Sequence, residues 1–167
     1  MLDVETYEEV EADRSATPQA LVVVVCSSLA AAIGLGGVNG SSDALAFFAN
    51  ASVIAILTWA AWALVTFEIG SRLLPVPGTR VDPGELLRTL GFAATPGLLQ
   101  VFAALPGMRT PVLVVAIVWS LAASVVAVRQ ALDYTSTVRA LAVCSMGAIL
   151  SLAVAIVLGL LFGATLS

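Results

Sequence analysis

The chain has 167 residues, of which 60% are hydrophobic and 11% are charged, and its mean hydropathy is +1.05. Soluble domains are about 45–50% apolar and about 25% charged, so this composition excludes an ordinary water-soluble domain. The chain contains no histidine and no lysine. The lack of histidine excludes a histidine general base, a Ser-His triad and a histidine-ligated metal. The arginines form no basic patch, and we expect no nucleic-acid partner.

An acidic segment opens the chain: the first 14 residues hold six of the 11 acidic residues and one arginine. Three apolar residues within it follow helical spacing, which is compatible with a short surface helix. A cleaved signal peptide needs a basic region before its apolar core, whereas the residues before the first apolar run are acidic. We therefore predict an acidic N-terminal segment, residues 1–17, and a membrane domain, residues 18–167, that retains its first helix.

Five charge-free stretches of 19 to 28 residues follow the acidic segment. Each is long enough to cross the hydrocarbon core of a bilayer as a helix, for which about 20 residues suffice. Prolines, turn residues and capping residues between the stretches set the helix ends. The sequence thus predicts an all-α integral membrane protein, a bundle of five transmembrane helices at approximately residues 18–37, 43–74, 83–105, 110–132 and 136–164.

The arginines indicate how the five helices are oriented. With five spans, the N-terminal segment and the loops near residues 80 and 134 share one side of the membrane, and this side holds six of the seven arginines. Arg109 alone lies on the other side. Because arginine and lysine collect in cytoplasmic loops, we predict a cytoplasmic N-terminus and an external C-terminus, in the plasma or inner membrane of the cell.

Glu68 is an ionisable residue within the second predicted span, near its cytoplasmic end. Arg72 follows four residues later on the same face, in the order that favours an ion pair. An ionisable group costs about 2.5–3.5 kcal/mol at the centre of a bilayer and less near the interface. Two interpretations stay open: a structural ion pair at the level of the lipid headgroups, or an ion-binding, proton-binding or docking site.

Further charged residues fall at the same predicted depth as Glu68 and Arg72. Together these residues are candidates for a polar cluster at the cytoplasmic face. The further members are Arg88, Arg129, Asp133 and Arg139. The alternative is that the arginines anchor the helix ends to lipid phosphates.

Pro96, followed by Gly97, interrupts the third predicted span. A proline inside a helix removes one backbone hydrogen bond and kinks the helix. In a membrane the freed carbonyls must find partners or line a cavity. We predict a helix break here, which is either a static packing kink or a hinge that lines a substrate path.

Small residues recur every four positions along the fifth predicted span. They are Gly147, Ser151, Ala155, Gly159 and Gly163. Stripes of small residues let helices approach each other closely in lipid. We expect this stripe to pack against another helix of the same chain, and a seam between the subunits of a homo-oligomer stays open as the alternative.

The chain carries no signature of a hydrolase nucleophile elbow, a zinc protease, a P-loop or a dinucleotide-binding domain. We therefore expect a protein that is not an enzyme and has no catalytic residues. We also expect no cofactor and no bound metal.

Three stretches of the chain resemble the bacterial branch of the Yip1 domain family. They are residues 3–13, residues 85–96 with a Gly-aromatic-small-Pro pattern, and residues 118–119 together with 128–132 and 138–140. The resemblance implies five spans and a cytoplasmic N-terminus. Eukaryotic members act in vesicle trafficking and associate with Rab-type GTPases, while for bacterial relatives the family implies a membrane protein without an assigned reaction. The arginine-only, alanine-rich composition suggests a prokaryotic source.

These observations predict a non-catalytic multi-pass membrane protein. Its expected role is a scaffold or adaptor that binds another membrane or peripheral protein, or that organises the lipid bilayer. The alternative is a small transporter or channel subunit in which Glu68 and the Pro96 break line a path. A transporter requires a hydrated cavity that touches both residues, whereas a scaffold requires only a dry bundle with a contact face.

Single-cysteine labelling tests the predicted orientation. In a Cys26→Ala, Cys144→Ala background, Thr110→Cys should react with a membrane-impermeant maleimide on intact cells, because its side of the membrane holds a single arginine. Ser136→Cys should react only after the cells have been permeabilised. Labelling of position 136 in intact cells would contradict the orientation.

Overall fold

The computed structural model describes residues 13–34, 44–75 and 82–163, apart from the side chains of residues 14, 162 and 163. Residues 1–12, which make up most of the acidic segment, and the loop that carries Arg80 lie outside this range. Within the described residues all regular structure is helical, and no strand is present.

Five successive helical spans make up the described chain. Their bounds are α1 Thr17–Gly34, α2 Ala44–Leu73, α3 Pro83–Ala93 with a 3-10 segment Thr95–Ala104, α4 Arg109–Ala131 and α5 Thr137–Gly163. The last turn of α2, Ile69–Leu73, is a π-helix. Each span is long and apolar enough to cross a membrane. The prediction of an all-α protein with five transmembrane helices is therefore confirmed.

Capping residues explain where two of the spans begin. Glu85 accepts a hydrogen bond from the backbone N–H of Asp82 at 3.0 Å, which forms a capping box at the start of α3. Before α1, a 3-10 turn is capped by Asp13, which accepts hydrogen bonds from the backbone N–H and the hydroxyl of Ser15 at 2.8 and 2.9 Å. Short polar residues thus satisfy N–H groups that a helix start leaves without partners.

The five spans form a ring. α1 packs against α2 and the third span, α2 packs against α5, α5 packs against α4, and α4 packs back against the third span. The order around the ring is therefore 1, 2, 5, 4, 3. Within the third span, α3 also contacts α2 across the ring, whereas the 3-10 segment packs mainly against α1 and α4. The centre of the ring is consequently filled at the level of α3.

The packed core lies at one end of this ring. At this end α2 ends, α3 begins and α4 turns into α5. It carries Arg72, Arg88, Arg129 and Arg139, and we call it the arginine-rich end. The largest fully buried side chains cluster in this half. They are Leu86, Leu90, Leu132, Val128 and Val143, followed by Thr66, Thr89, Cys144 and Ser124. The α3 helix supplies the centre of that core, since half of its span is buried.

The third span changes its winding at the predicted break. α3 ends at Ala93 and the 3-10 segment begins at Thr95, with Pro96 in its first turn. Proline has no N–H to donate, and its ring clashes with the carbonyl four residues earlier in an α-helix. A 3-10 helix rises about 2.0 Å per residue against 1.5 Å in an α-helix, so the ten residues of the segment extend about 20 Å.

The carbonyls of Phe92 and Ala94 beside this break have hydrogen-bond partners. The carbonyl of Ala94 accepts hydrogen bonds from the N–H of Gly97 at 2.9 Å and from the Ser27 hydroxyl of α1 at 3.0 Å. Thr95 donates its hydroxyl to the carbonyl of Phe92. Gly97 lies so close to α1 that a Cβ on it would be 3.1 Å from the Cβ of Ser27. The break is thus held in place by side chains of α1 and of the third span itself.

The small-residue stripe of α5 packs within the chain over only part of its length. A Cβ on Gly147 would lie 2.5 Å from the Thr66 hydroxyl and 3.0 Å from the Trp62 ring, both on α2. Ser151 is buried and donates its hydroxyl to the carbonyl of Gly147 at 2.8 Å. At Gly159 the structure shows no such packing, because no described atom of another helix lies within 4 Å of an added Cβ.

The physical reason is that α5 leaves the packed core after Ser151. No described residue of α5 beyond Ser151 is buried; Ala155 and Gly159 are half-buried, and the apolar residues on the other side of the helix are exposed. The four-residue spacing of the stripe continues, but the packed neighbours end. The burial of Gly163 lies outside the described set.

Two glycine substitutions in the same helix separate the two halves of the stripe. Gly147→Leu should destabilise the protein by about 1–3 kcal/mol or more, because overpacking displaces the Thr66 and Trp62 side chains. Gly159→Leu should leave stability unchanged, since open space surrounds that position. The measurement is the thermal unfolding temperature of the purified protein in one detergent. Equal destabilisation by both variants would show that α5 packs along its whole length.

Candidate functional site

The first part of the predicted polar cluster is an ion pair at the end of α2. Glu68 Oε2 lies 2.8 Å from Arg72 Nε, and the two side chains are 48% and 74% exposed. Exposed ion pairs contribute about 0–1 kcal/mol. The carboxylate therefore has a cationic partner, and it lies on the surface of the bundle.

A second polar group centres on Tyr134, in the turn between α4 and α5. The Tyr134 hydroxyl donates to the carbonyl of Leu74 at 2.9 Å and lies 3.4 Å from the carbonyl of Gly70. Gly70 lies in the π-helical end of α2, and Leu74 is the residue that directly follows it. Leu132 packs directly on Gly70. The Tyr134 clasp, defined by these contacts, joins the α4–α5 turn to the end of α2.

Two arginines of the predicted cluster support this clasp. Arg129 donates its Nε–H to the carbonyl of Tyr134 at 3.2 Å and a terminal N–H to the Thr137 hydroxyl at 3.4 Å. Arg139 places its guanidinium 5.6 Å from the centre of the Tyr134 ring, a cation–π distance. Asp133 is exposed and adopts a positive φ of 50° at the start of the turn. The three residues thus shape one turn.

Arg88 belongs to a third group, at the start of α3. Its side chain is 4% exposed, and a Cβ on Gly84 would lie 3.1 Å from its guanidinium and 3.0 Å from the Asp82 carboxylate. Hydrogen bonds from Ser15 hold the pKa of Asp13 below its usual value, and the charge of Arg88 lowers it further. Arg88 thus lies at the junction of the starts of α1 and α3.

The predicted cluster therefore divides into three groups at one end of the bundle. Glu68 and Arg72 pair on the surface, Arg129 and Arg139 surround Tyr134, and Arg88 is buried near the start of α3. Each group connects a helix end to a neighbouring element or to its own helix. This arrangement is suited to fixing the helix ends relative to each other.

The main cavity lies between the spans, beside the break in the third span. Its volume is about 710 Å³, and residues of all five spans line it. Its walls are overwhelmingly apolar and include Trp59 and Trp62 of α2. The 3-10 segment contributes Gly97 and Gln100. The cavity exists because α3 fills the centre of the ring near the arginine-rich end, whereas the 3-10 segment leans towards α1 and α4.

Neither residue singled out for a transport path lines this cavity. Glu68 and Pro96 are absent from its walls, although Gly97 and Gln100 follow directly after the break. No charged side chain lines it among the described residues. The hydroxyls of Ser27, Ser28 and Ser124 in its walls already donate to backbone carbonyls.

Three buried donors of α2 have no hydrogen-bond partner among the described atoms. They are the hydroxyl of Thr58, the indole N–H of Trp62 and the hydroxyl of Thr66, spaced four residues apart along one helix face. Trp62 and Thr66 face Gly147 of α5. An unpaired buried donor costs about 1–3 kcal/mol, so this face of α2 carries an unfavourable polar strip towards α5.

A model of the Yip1 domain matches residues 4–162 of the chain. The chain belongs to the Yip1 domain family. Yip1 proteins are membrane proteins that are not known as enzymes, and the five apolar spans of this Yip1 chain make it a multi-pass membrane protein of that type. Comparison with curated proteins and with solved structures gives no match.

Two features of this Yip1 domain were missed by the sequence analysis. Tyr134 is the residue that joins the α4–α5 turn to α2, and the signal for it was an aromatic residue in a short polar turn at the membrane interface. The cavity had a weaker signal, in that alanine and serine recur on the inner faces of α1 and α4.

Removal of the Tyr134 hydroxyl tests the clasp. Tyr134→Phe should cost about 1–2 kcal/mol, because the carbonyl of Leu74 loses its donor. Arg139→Gln is the matched control: it removes the cation–π contact alone and should cost about 0.5–1 kcal/mol. Both are measured as changes in the unfolding temperature in detergent.

A pH series adds a second measurement on the same two variants. Burial raises the pKa of the Tyr134 phenol above its ordinary value of 10.0, and the charge of Arg139 opposes part of this rise. The stabilisation by the clasp should thus be complete below about pH 10 and lost as the pH rises through the raised pKa. Tyr134→Phe should lack that alkaline loss. An unchanged unfolding temperature for Tyr134→Phe would contradict the clasp.

Proposed function

We propose that this Yip1 chain is a non-catalytic scaffold or adaptor of the bacterial Yip1 type. It resides in the plasma or inner membrane, with its N-terminus in the cytoplasm and its C-terminus outside. The arginine-rich end then faces the cytoplasm, where it contacts a membrane or peripheral protein or organises the surrounding lipid. This contact role is the function that the geometry supports best.

The observation that carries the proposal is the distribution of charge. The charged side chains of the described spans lie at helix ends, and Arg72, Arg129 and Arg139 are exposed together at the arginine-rich end. The cavity, by contrast, has no charged residue in its described walls. An interior cavity without charged walls and a group of exposed arginines at one end fit a contact function better than the movement of ions or polar solutes.

The exposed arginines at this end also have the chemistry to recognise acidic groups on a partner. Arginine presents a planar guanidinium that binds carboxylates or phosphates through paired hydrogen bonds. Arg129 and Arg139 are held beside Tyr134, so they are presented by an ordered turn rather than by a free loop. The partner is therefore expected to carry an acidic surface.

Site-specific photocrosslinking tests this contact role. Benzoylphenylalanine at Val138, which is 77% exposed next to Arg139, should give a discrete crosslinked protein in living cells of the source organism. The same probe at Leu105, which is 51% exposed at the opposite end, should give none. In an Arg72→Glu, Arg139→Glu double variant the crosslink at Val138 should disappear, because the partner surface is acidic.

Two results would contradict the contact role. One is a Val138 crosslink to lipid alone, which would leave only the bilayer-organising part of the proposal. The other is a solute or ion flux in proteoliposomes above that of empty vesicles and sensitive to Glu68→Gln, which would favour the transporter alternative.

A further inference from the structure

The cavity between the spans is chemically suited to hydrocarbon. Its volume of about 710 Å³ falls within the range of about 300–1,000 Å³ found for small-molecule sites. Among the polar side chains in its walls, the hydroxyls of Ser27, Ser28 and Ser124 donate to backbone carbonyls. The hydroxyl of Thr58 and the indole N–H of Trp62 have no partner among the described atoms. The wall surface is nevertheless overwhelmingly apolar, which suits hydrocarbon better than water.

The cavity lies at the depth of the lipid chains. On α2 its walls reach from Phe47 to Trp62, which corresponds to about 22 Å along a helix. The hydrocarbon core of a bilayer is about 30 Å thick, so the hydrocarbon layer of one leaflet is about 15 Å thick. The cavity is longer than that layer is thick. Gln100 marks the end away from the core, about 8 Å from the last residue of the 3-10 segment at a rise of about 2.0 Å per residue.

One side of the cavity opens towards lipid. Ile117 and Leu121 of α4 line it and are also 63% and 45% exposed. Among the described residues of α5, only Ala148 lines the cavity. No described residue of α5 beyond Ser151 is buried. The wall between α4 and α5 is therefore incomplete at the level where both helices cross the bilayer.

We propose that this cavity binds one acyl chain of a membrane phospholipid, which enters from the bilayer between α4 and α5. The chain lies along the faces of α2 and α4 that line the cavity, and its end reaches the indoles of Trp59 and Trp62. The amide of Gln100 lies towards the interface, where it donates to an ester carbonyl of the same lipid. The inference goes beyond the scaffold function and does not depend on it.

The distribution of tryptophan allows a direct test. The chain has three tryptophans; Trp59 and Trp62 line the cavity, whereas Trp119 lies outside it and is 41% exposed. In a Trp119→Phe background all tryptophan fluorescence therefore comes from the cavity. The protein is reconstituted in phosphatidylcholine vesicles whose acyl chains carry bromine, which quenches tryptophan on contact, and compared with unbrominated vesicles.

Filling the cavity should remove this quenching. Ala55→Phe adds a ring to the cavity wall one turn from Trp59, and Ala153→Phe makes the same change on an exposed position of α5 outside the cavity. Brominated lipid should quench the Trp119→Phe protein. The quenching should fall by at least half with Ala55→Phe and stay unchanged with Ala153→Phe. Ser120→Phe fills the facing wall and replaces Ala55→Phe if that variant does not fold.

Native mass spectrometry gives a second readout on the same variants. The Trp119→Phe protein and its Ala153→Phe form should each retain one phospholipid per chain after purification, and the Ala55→Phe form should lose it. Equal quenching in the Ala55→Phe and Ala153→Phe proteins would overturn the proposal. Quenching by aqueous acrylamide in place of brominated lipid would also overturn it, since the cavity would then hold water. The Val138 crosslink tests the contact role alone, and the quenching tests lipid binding alone. Each proposal can therefore be contradicted without the other.

Discussion

Every backbone carbonyl that a helix releases inside a bilayer must find another donor, because lipid offers none. Among the described residues, a donor of this kind is seen where the third span breaks and where α2 ends. At the break in the third span, the Ser27 hydroxyl of α1 and the N–H of Gly97 satisfy the carbonyl of Ala94. Directly after the π-helical end of α2, the Tyr134 hydroxyl satisfies the carbonyl of Leu74. In both places a donor from a neighbouring element allows the irregular backbone.

The break in the third span also separates two halves of the bundle that are packed differently. Near the arginine-rich end, α3 sits inside the ring, and Leu86 and Leu90 are fully buried. Past the break, the third span leans against α1 and α4, while α5 loses its buried contacts after Ser151. The first half is a close-packed protein core, and the second half encloses the cavity. The change of winding near Pro96 marks the boundary between them.

The sequence predicted the features that depend on local chemistry. Charge spacing located the five spans, Pro96 located the break, and Glu68 with Arg72 followed the helical spacing that an ion pair requires. The features it missed depend on which helix faces meet. Gly147 and Gly159 occupy equivalent positions in one stripe, yet only Gly147 touches α2. The same limit applies to the cavity, which exists through the mutual placement of all five spans, and to the reach of Tyr134 to a carbonyl 60 residues earlier in the chain.

The winding of the 3-10 segment has a consequence for its symmetry. Three residues per turn place every third residue on one straight line, and here Gly97, Gln100 and Ala103 line up on the inner side, where Gly34 of α1 abuts Gln100 and Ala103. In an α-helix the same three residues would rotate by about 60° per step. The exposed line of Leu98, Val101 and Ala104 has the same threefold repeat. The segment thus presents one unrotated edge to its neighbour and another to the lipid along its whole length.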